Sequence, residues 1–376
     1  MQAIINNFLP LLFITFQNSF NIPLSQITLL ITINFLVQLS VDLLSAKFID
    51  KIGYRAAIVL AHICAASGLI FLATLPFFLE PFIGILISVS IYAVGGGIIE
   101  VLISPIMESC PTDNKEKAMS LLHSFYCWGH VAVVLLSTLF FKLIGITNWP
   151  LLALLWAAVP IANALLFAKT PIAPLIPENQ RGMTFKELIS SKIFWLLFVM
   201  MLSAGASEQA VSQWASAFAE QGLAVSKTIG DLAGPMAFAI LMGTSRAIYG
   251  KFGDKINLER FMTLSTVLSV ISYLVISLSP SPAISLIGCA VCGLSVGIMW
   301  PGSFSKAAKA LPTGGTAMFA LLALSGDLGC LSGPSLVGAI SNAVGNNLKI
   351  GILVAVVFPI TLLLCQGVWH NKKVDV

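Results

Sequence analysis

The feature that most constrains this chain is the recurrence, from end to end, of uninterrupted apolar runs about 20 residues long. A run of that length is what an α-helix needs to cross roughly 30 Å of hydrocarbon. Lipid offers no partner for backbone N–H and C=O groups, so only helices and closed barrels can span it. Barrel strands would alternate apolar and polar residues over about ten positions, and these runs do not alternate. Composition agrees: 57% of the 376 residues are hydrophobic and 10% are charged, against about 25% charged in soluble domains. The expected fold class is an all-α membrane protein.

The runs fall at 2–20, 24–47, 55–75, 82–107, 117–141, 149–168, 192–219, 228–251, 260–279, 283–305, 314–340 and 348–369, giving twelve predicted helices. Turn-forming clusters separate them at 76–81, 111–117, 148–150 and 279–282. One connection is long. It carries Pro171, Pro174, Pro177 and Gly182, and it divides the helices six and six: a first bundle at 1–168, a linker at 169–191 and a second bundle at 192–376. No cleavable signal peptide is expected, because the apolar run follows Met1 with no basic region before it.

Basic residues next to membrane segments stay on the cytoplasmic side. With both termini inside, inner loops and the C-terminal tail hold Lys47, Lys51, Arg55, Lys115, Lys117, Lys169, Arg181 and most of the others, whereas the outer side holds Lys142, Lys227 and Lys349. A multi-pass protein of the inner (plasma) membrane with cytoplasmic termini is therefore expected. The net charge of +4 is spread over many short loops, which argues against a nucleic-acid surface. The cysteines fall mostly inside the runs; Cys289 and Cys292 make a CxxC without the further ligands zinc requires, so no metal and no cofactor is expected.

The chain also repeats itself. Lys47, Phe48, Asp50, Lys51 and Ile52 after the second segment match Lys251, Phe252, Asp254, Lys255 and Ile256 after the eighth, at a constant offset of 204. Both stretches lie between the second and third segments of a six-segment half, as in parallel repeats related by an axis along the membrane normal. Snorkelling explains lysines at helix ends but not the matched aspartates. Asp42 and Arg246 are equivalent too, eight residues before those aspartates.

At these residues the chain resembles the major facilitator superfamily, whose loop between helices 2 and 3 reads G-x-x-x-D-[RK]-x-G-[RK]. Here it reads AKFIDKIGYR, with Ala46 for the leading Gly, and GKFGDKINLER, with Asn257 for the later one. The resemblance covers essentially the whole chain and implies two pseudo-symmetric bundles that work by alternating access. It makes Asp50 and Asp254 gating residues and a monomer moving a small solute the expected form, and the equivalence of Asp42 and Arg246 in the repeat marks those two for gating as well. Within the superfamily the chain is similar to the fucose-permease-like branch of sugar symporters, through GGGIIEVLISPIME on helix 4 and GIMWPGSFS on helix 10. That branch's acidic residue on helix 1 is missing here, and its polar pair on helix 5 reads as His123 and Tyr126. The implied function is proton-coupled symport of a sugar-like solute, with export of drugs or metabolites as the alternative.

Charges in lipid are costly and mark partners, cavities or function. Glu100, Glu208, Arg246 and Asp327 lie within the runs. Glu100, Glu208 and Asp327 are the candidate proton-coupling carboxyls, and an ion pair of Glu100 with Arg246 is the structural alternative. Candidate solute contacts share helical faces: Asn34 with Gln38; His123 with Tyr126 and His130; Gln209 with Gln213. Trp214 and Trp300 offer stacking surfaces for a sugar ring, or else belong to an interfacial belt. No HExxH, Walker A or nucleophile-elbow sequence occurs, so nothing calls for an enzyme or an ATP-driven pump.

Overall fold

The computed structural model describes the backbone of residues 1–109, 111, 115–172, 183, 185–311 and 314–374; within these, the side chains of 45–51, 104, 105, 107–109, 115–121, 185, 254, 308, 315–317, 319, 320 and 371–374 are also left aside. The described chain is helical, with no strand. In order come α1 (Gln2–Asn7), α2 (Phe13–Phe20), α3 (Leu24–Ile52), α4 (Tyr54–Thr74), α5 (Pro81–Ser109), α6 (Lys115–Ile144) and α7 (Trp149–Lys169). There follow α8 (Phe185–Ser190), α9 (Lys192–Ser212), α10 (Ala215–Ala217), α11 (Lys227–Asp231), α12 (Ala237–Phe252), α13 (Leu258–Leu278), α14 (Pro282–Val296), α15 (Met299–Ala310), α16 (Gly315–Ala343), α17 (Leu348–Val354) and α18 (Val357–Val374).

Ten stretches among the described residues are long and apolar enough to cross a membrane. The two remaining runs, 2–20 and 228–251, are interrupted rather than continuous. The first breaks into α1, a 3-10 turn at Leu9–Leu12 and α2; Pro10, which has no N–H to donate, sits in that turn. The second breaks into α11, a π turn at Leu232–Met236 containing Pro235, and α12. Other runs break as well: α9 passes through α10 into a π turn at Phe218–Gly222, and α14 yields to α15 at Gly297 and Ile298, just before Pro301. Breaks of this kind survive at membrane depth only where protein groups take up the freed carbonyls.

The chain forms two compact units. The first comprises Met1–Leu175 together with Ser226–Leu232; the second comprises Ile176–Val225 and Ala233–Val376. In the first, α5 packs closely on α3 and α4. A Cβ at Gly95 would run into the carbonyl of Ala61, and one at Gly97 would lie 2.9 Å from the carbonyl of Gln38, so the glycine run 95–97 is what lets three backbones approach. At one end of this unit Trp149 gathers Phe16 edge-on at 5.2 Å and Phe77 stacked at 5.9 Å. In the second unit α9 and α16 make the corresponding close pair. Gly329 sits against the carbonyl of Leu202, and Gly333 against Ala206.

The repeated loop is closed by two different chemistries. Gly53 takes φ +80 between α3 and α4, a left-handed conformation that favours glycine. Its counterpart Asn257 has φ −68 and caps α13, its side chain accepting from the Arg260 N–H at 2.9 Å. One turn is allowed by a missing Cβ and the other is held by a helix cap.

Candidate functional site

Polar side chains gather in the interior of each unit. In the first, α1 supplies Gln2, Asn6 and Asn7, and the neighbouring helices meet them. The Gln38 amide donates to Asn6 Oδ1 at 3.0 Å, and Asn34 approaches the same oxygen at 3.5 Å. Gln2 Nε2 donates to Gln38 Oε1 at 2.8 Å and to Glu100 Oε2 at 3.0 Å. Asn7 donates to the Tyr126 hydroxyl at 3.3 Å, and the ring of His130 follows one turn later, its centroid 6.5 Å from that of Tyr126. Asn34, Gln38 and His130 are buried, whereas Glu100, His123 and Tyr126 are partly so. Asn34 and Gln38, four residues apart on α3, thus share one acceptor on α1. Gly96 lets the Gln2 and Gln38 carboxamides lie against α5: a Cβ there would be 3.1 Å from Gln38 and 3.2 Å from Gln2 Oε1.

In the second unit Glu208 and Arg246 form an ion pair with Nη2 to Oε2 at 3.1 Å, each side chain less than a tenth exposed. Arg246 Nε also donates to the carbonyl of Gly297 at 3.1 Å. That carbonyl lies at the break between α14 and α15, so the guanidinium takes up a group that the interruption frees. Arg246, expected as a partner for Glu100, pairs in this structure with Glu208 of its own unit, and Glu100 accepts from the Gln2 amide.

The remaining residues of this unit are placed as follows. Gln209 approaches Glu208 at 3.5 Å and accepts from Gln213 at 3.0 Å, as expected of neighbours on one face. Trp214 is fully buried, and its indole N–H donates to the carbonyl of Pro334 at 3.0 Å; in this arrangement it ties α16 and offers no open ring face. Trp300 is partly buried over Gly326, with Phe304 edge-on at 6.2 Å. Asp327 is buried on α16 between Gly326 and Gly329. Asp42 is partly buried on α3, and the side chains of Asp50 and Asp254 lie outside the described residues. Cys289 and Cys292 are buried.

Sequence reasoning missed four residues. Gln2, Asn6 and Asn7 carry the polar network of the first unit, and an adjacent Asn pair inside an apolar run was the available signal. Asp231 is the fourth. It is fully buried, pairs with Lys227 at 3.1 Å and accepts from Thr138 at 3.3 Å, while Lys227 also donates to the carbonyl of Leu11 at 2.6 Å and lies 5.7 Å from the Phe141 ring centroid. The i,i+4 spacing of a cation and a carboxylate in a run already marked as membrane-spanning would have singled it out.

The family model described as Major Facilitator Superfamily matches residues 1–334. The membrane protein MosC of Rhizobium meliloti is 23% identical over 294 residues, covering 76% of this chain and 68% of MosC. Among solved structures, the fucose:proton symporter FucP of E. coli aligns with a TM-score of 0.68 at 15% identity, over 97% of this chain and 95% of that one. A bacterial homologue of the human lysosomal transporter Spinster aligns with a TM-score of 0.75 at 14% identity, over 98% and 95%.

Proposed function

This chain belongs to the Major Facilitator Superfamily, and on that premise we propose that it is a proton-coupled symporter of a small sugar-like solute. Two six-helix halves, 1–168 and 192–376 joined by 169–191, would rock about the solute in an inner membrane, with both termini cytoplasmic. Asn34, Gln38, His123, Tyr126 and His130 contact the solute from the first half, and Gln209, Gln213 and Trp300 from the second. Asp50 and Asp254 close the cytoplasmic face.

The observation that supports this reading is the bond from the Gln2 amide to Glu100 Oε2 at 3.0 Å, which places a carboxyl at membrane depth within the polar network of the first unit. Protonation of that carboxyl removes a charge from the interior and so favours a different packing of the helices around it. The gradient does work only through such a difference between two states. Glu208 is less suited to that task, because Arg246 fixes its charge. The likeness to a fucose:proton symporter agrees with the reading at the level of fold.

Purified protein in liposomes, supplied with labelled sugars and an imposed proton gradient, tests it. Wild type is expected to accumulate one of the sugars. Glu100→Gln is expected to abolish gradient-driven accumulation while retaining solute counterflow. Accumulation by the mutant at the normal rate and proton stoichiometry would show that coupling resides elsewhere.

A further inference from the structure

Two buried amide oxygens in the polar network of the first unit lack a donor. Gln2 uses both protons of its amide nitrogen, one toward Gln38 Oε1 and one toward Glu100 Oε2. Those two bonds fix its orientation, since a rotated amide would set its carbonyl oxygen against two other acceptors. Gln2 Oε1 is then buried with no hydrogen-bond partner. Asn34 turns its nitrogen toward Asn6 Oδ1, and its own Oδ1 is likewise buried without a partner in a side chain 5% exposed. Asn6 Oδ1 is already approached by two donors. A buried acceptor left unfilled is costly, so a ligand that brings donors to these oxygens binds more favourably than one that brings lone pairs.

Resting on the reading that this network meets the solute, we infer that the site selects a polyhydroxylated solute that is neutral or cationic and rejects carboxylate-bearing analogues. Hydroxyl or ammonium protons go to Gln2 Oε1 and Asn34 Oδ1, and the nearby Glu100 tolerates positive charge. An acid of the same shape presents negative charge and acceptor oxygens to those two atoms, which are carbonyl oxygens and cannot donate to it. Discrimination of this kind comes from the mismatched ligand leaving buried groups unpaired, and it is steeper than discrimination by size.

The experiment uses matched sets of hexoses, hexitols and inositols, their amino derivatives and the corresponding uronates, with the purified full chain in detergent. The readout is the concentration-dependent shift of the thermal unfolding midpoint. At least one neutral or amino compound is expected to raise the midpoint, while its uronate counterpart binds at least tenfold more weakly. Asn34→Leu removes one acceptor and is expected to weaken the neutral compound about tenfold. Asn34→Thr restores a small polar group and recovers part of the loss if the leucine variant folds poorly. A uronate that binds as tightly as its neutral partner overturns the inference, and so does a panel in which no neutral or amino compound shifts the midpoint, the oxygens then being served by water alone. The same panel in liposomes separates this inference from the transport reading. Accumulation of an acidic solute would sink the inference and leave transport standing. Binding of a neutral polyol that never crosses the bilayer would do the reverse.

Discussion

Arg246 shows at the scale of one side chain what sequence position could and could not reveal. Its equivalence to Asp42 in the repeat predicts a gating residue, and the structure shows the contacts it makes, a tie between Glu208 and the carbonyl of Gly297. Removing one member of a buried pair leaves a charge without compensation, at a cost of about 3–5 kcal/mol. Arg246→Ala is therefore expected to lower unfolding stability by about that amount. Arg246→Ala combined with Glu208→Ala is expected to cost clearly less than the sum of the single changes, because the stranded carboxylate is gone. Additive losses in a denaturation series would mean that the two residues act separately. The carboxamides of α1 were harder to read. Asparagine and glutamine in an apolar run are no rarer at packed positions than at binding sites, and only the meeting of Gln2 with Gln38 and Glu100 distinguishes them.

Helices were legible because one signal, about 20 consecutive apolar residues, is strong and local. Their interruptions were not. Pro10, Pro235 and Pro301 were visible as residues, but a proline can kink a helix or be absorbed in its first turn, and the outcome depends on which neighbour takes the freed carbonyl. Gly53 and Asn257 put a second element-scale idea to the test. Gly53→Ala forces a Cβ into left-handed geometry at about 1–2 kcal/mol. Asn257→Ala removes a cap worth about 1 kcal/mol, while Asn257→Gly is expected to cost only a few tenths. Thermal unfolding of the three variants checks the order, and equal losses for Ala and Gly at 257 would show that the cap contributes nothing. Between α9 and α16 the constraint is steric. Gly329→Ala is expected to push the pair apart and destabilise the second unit, as a Cβ there would meet the backbone of α9.

For the whole molecule, the one long connection predicts a six-and-six division, and the distribution of Lys and Arg predicts its side. Single cysteines at positions 178 and 281, in a background without native cysteines, are expected to label oppositely with an impermeant thiol reagent, position 178 only from the inside. Labelling of 178 from outside would invert the topology. No pattern in the sequence announced that Ser226–Leu232, far along the chain, groups with the first unit through Lys227 and Asp231. That connectivity sets an order of events on the ribosome. The helices through Lys169 are made first, yet Leu11 and Thr138 meet their partners only after synthesis has passed residue 231. At roughly 5–20 residues per second, that is a delay of about 3–12 s. Chains ending at 225 and released from the ribosome should therefore be more open to protease in their helices through Lys169 than released chains ending at 240, although both contain every one of those helices.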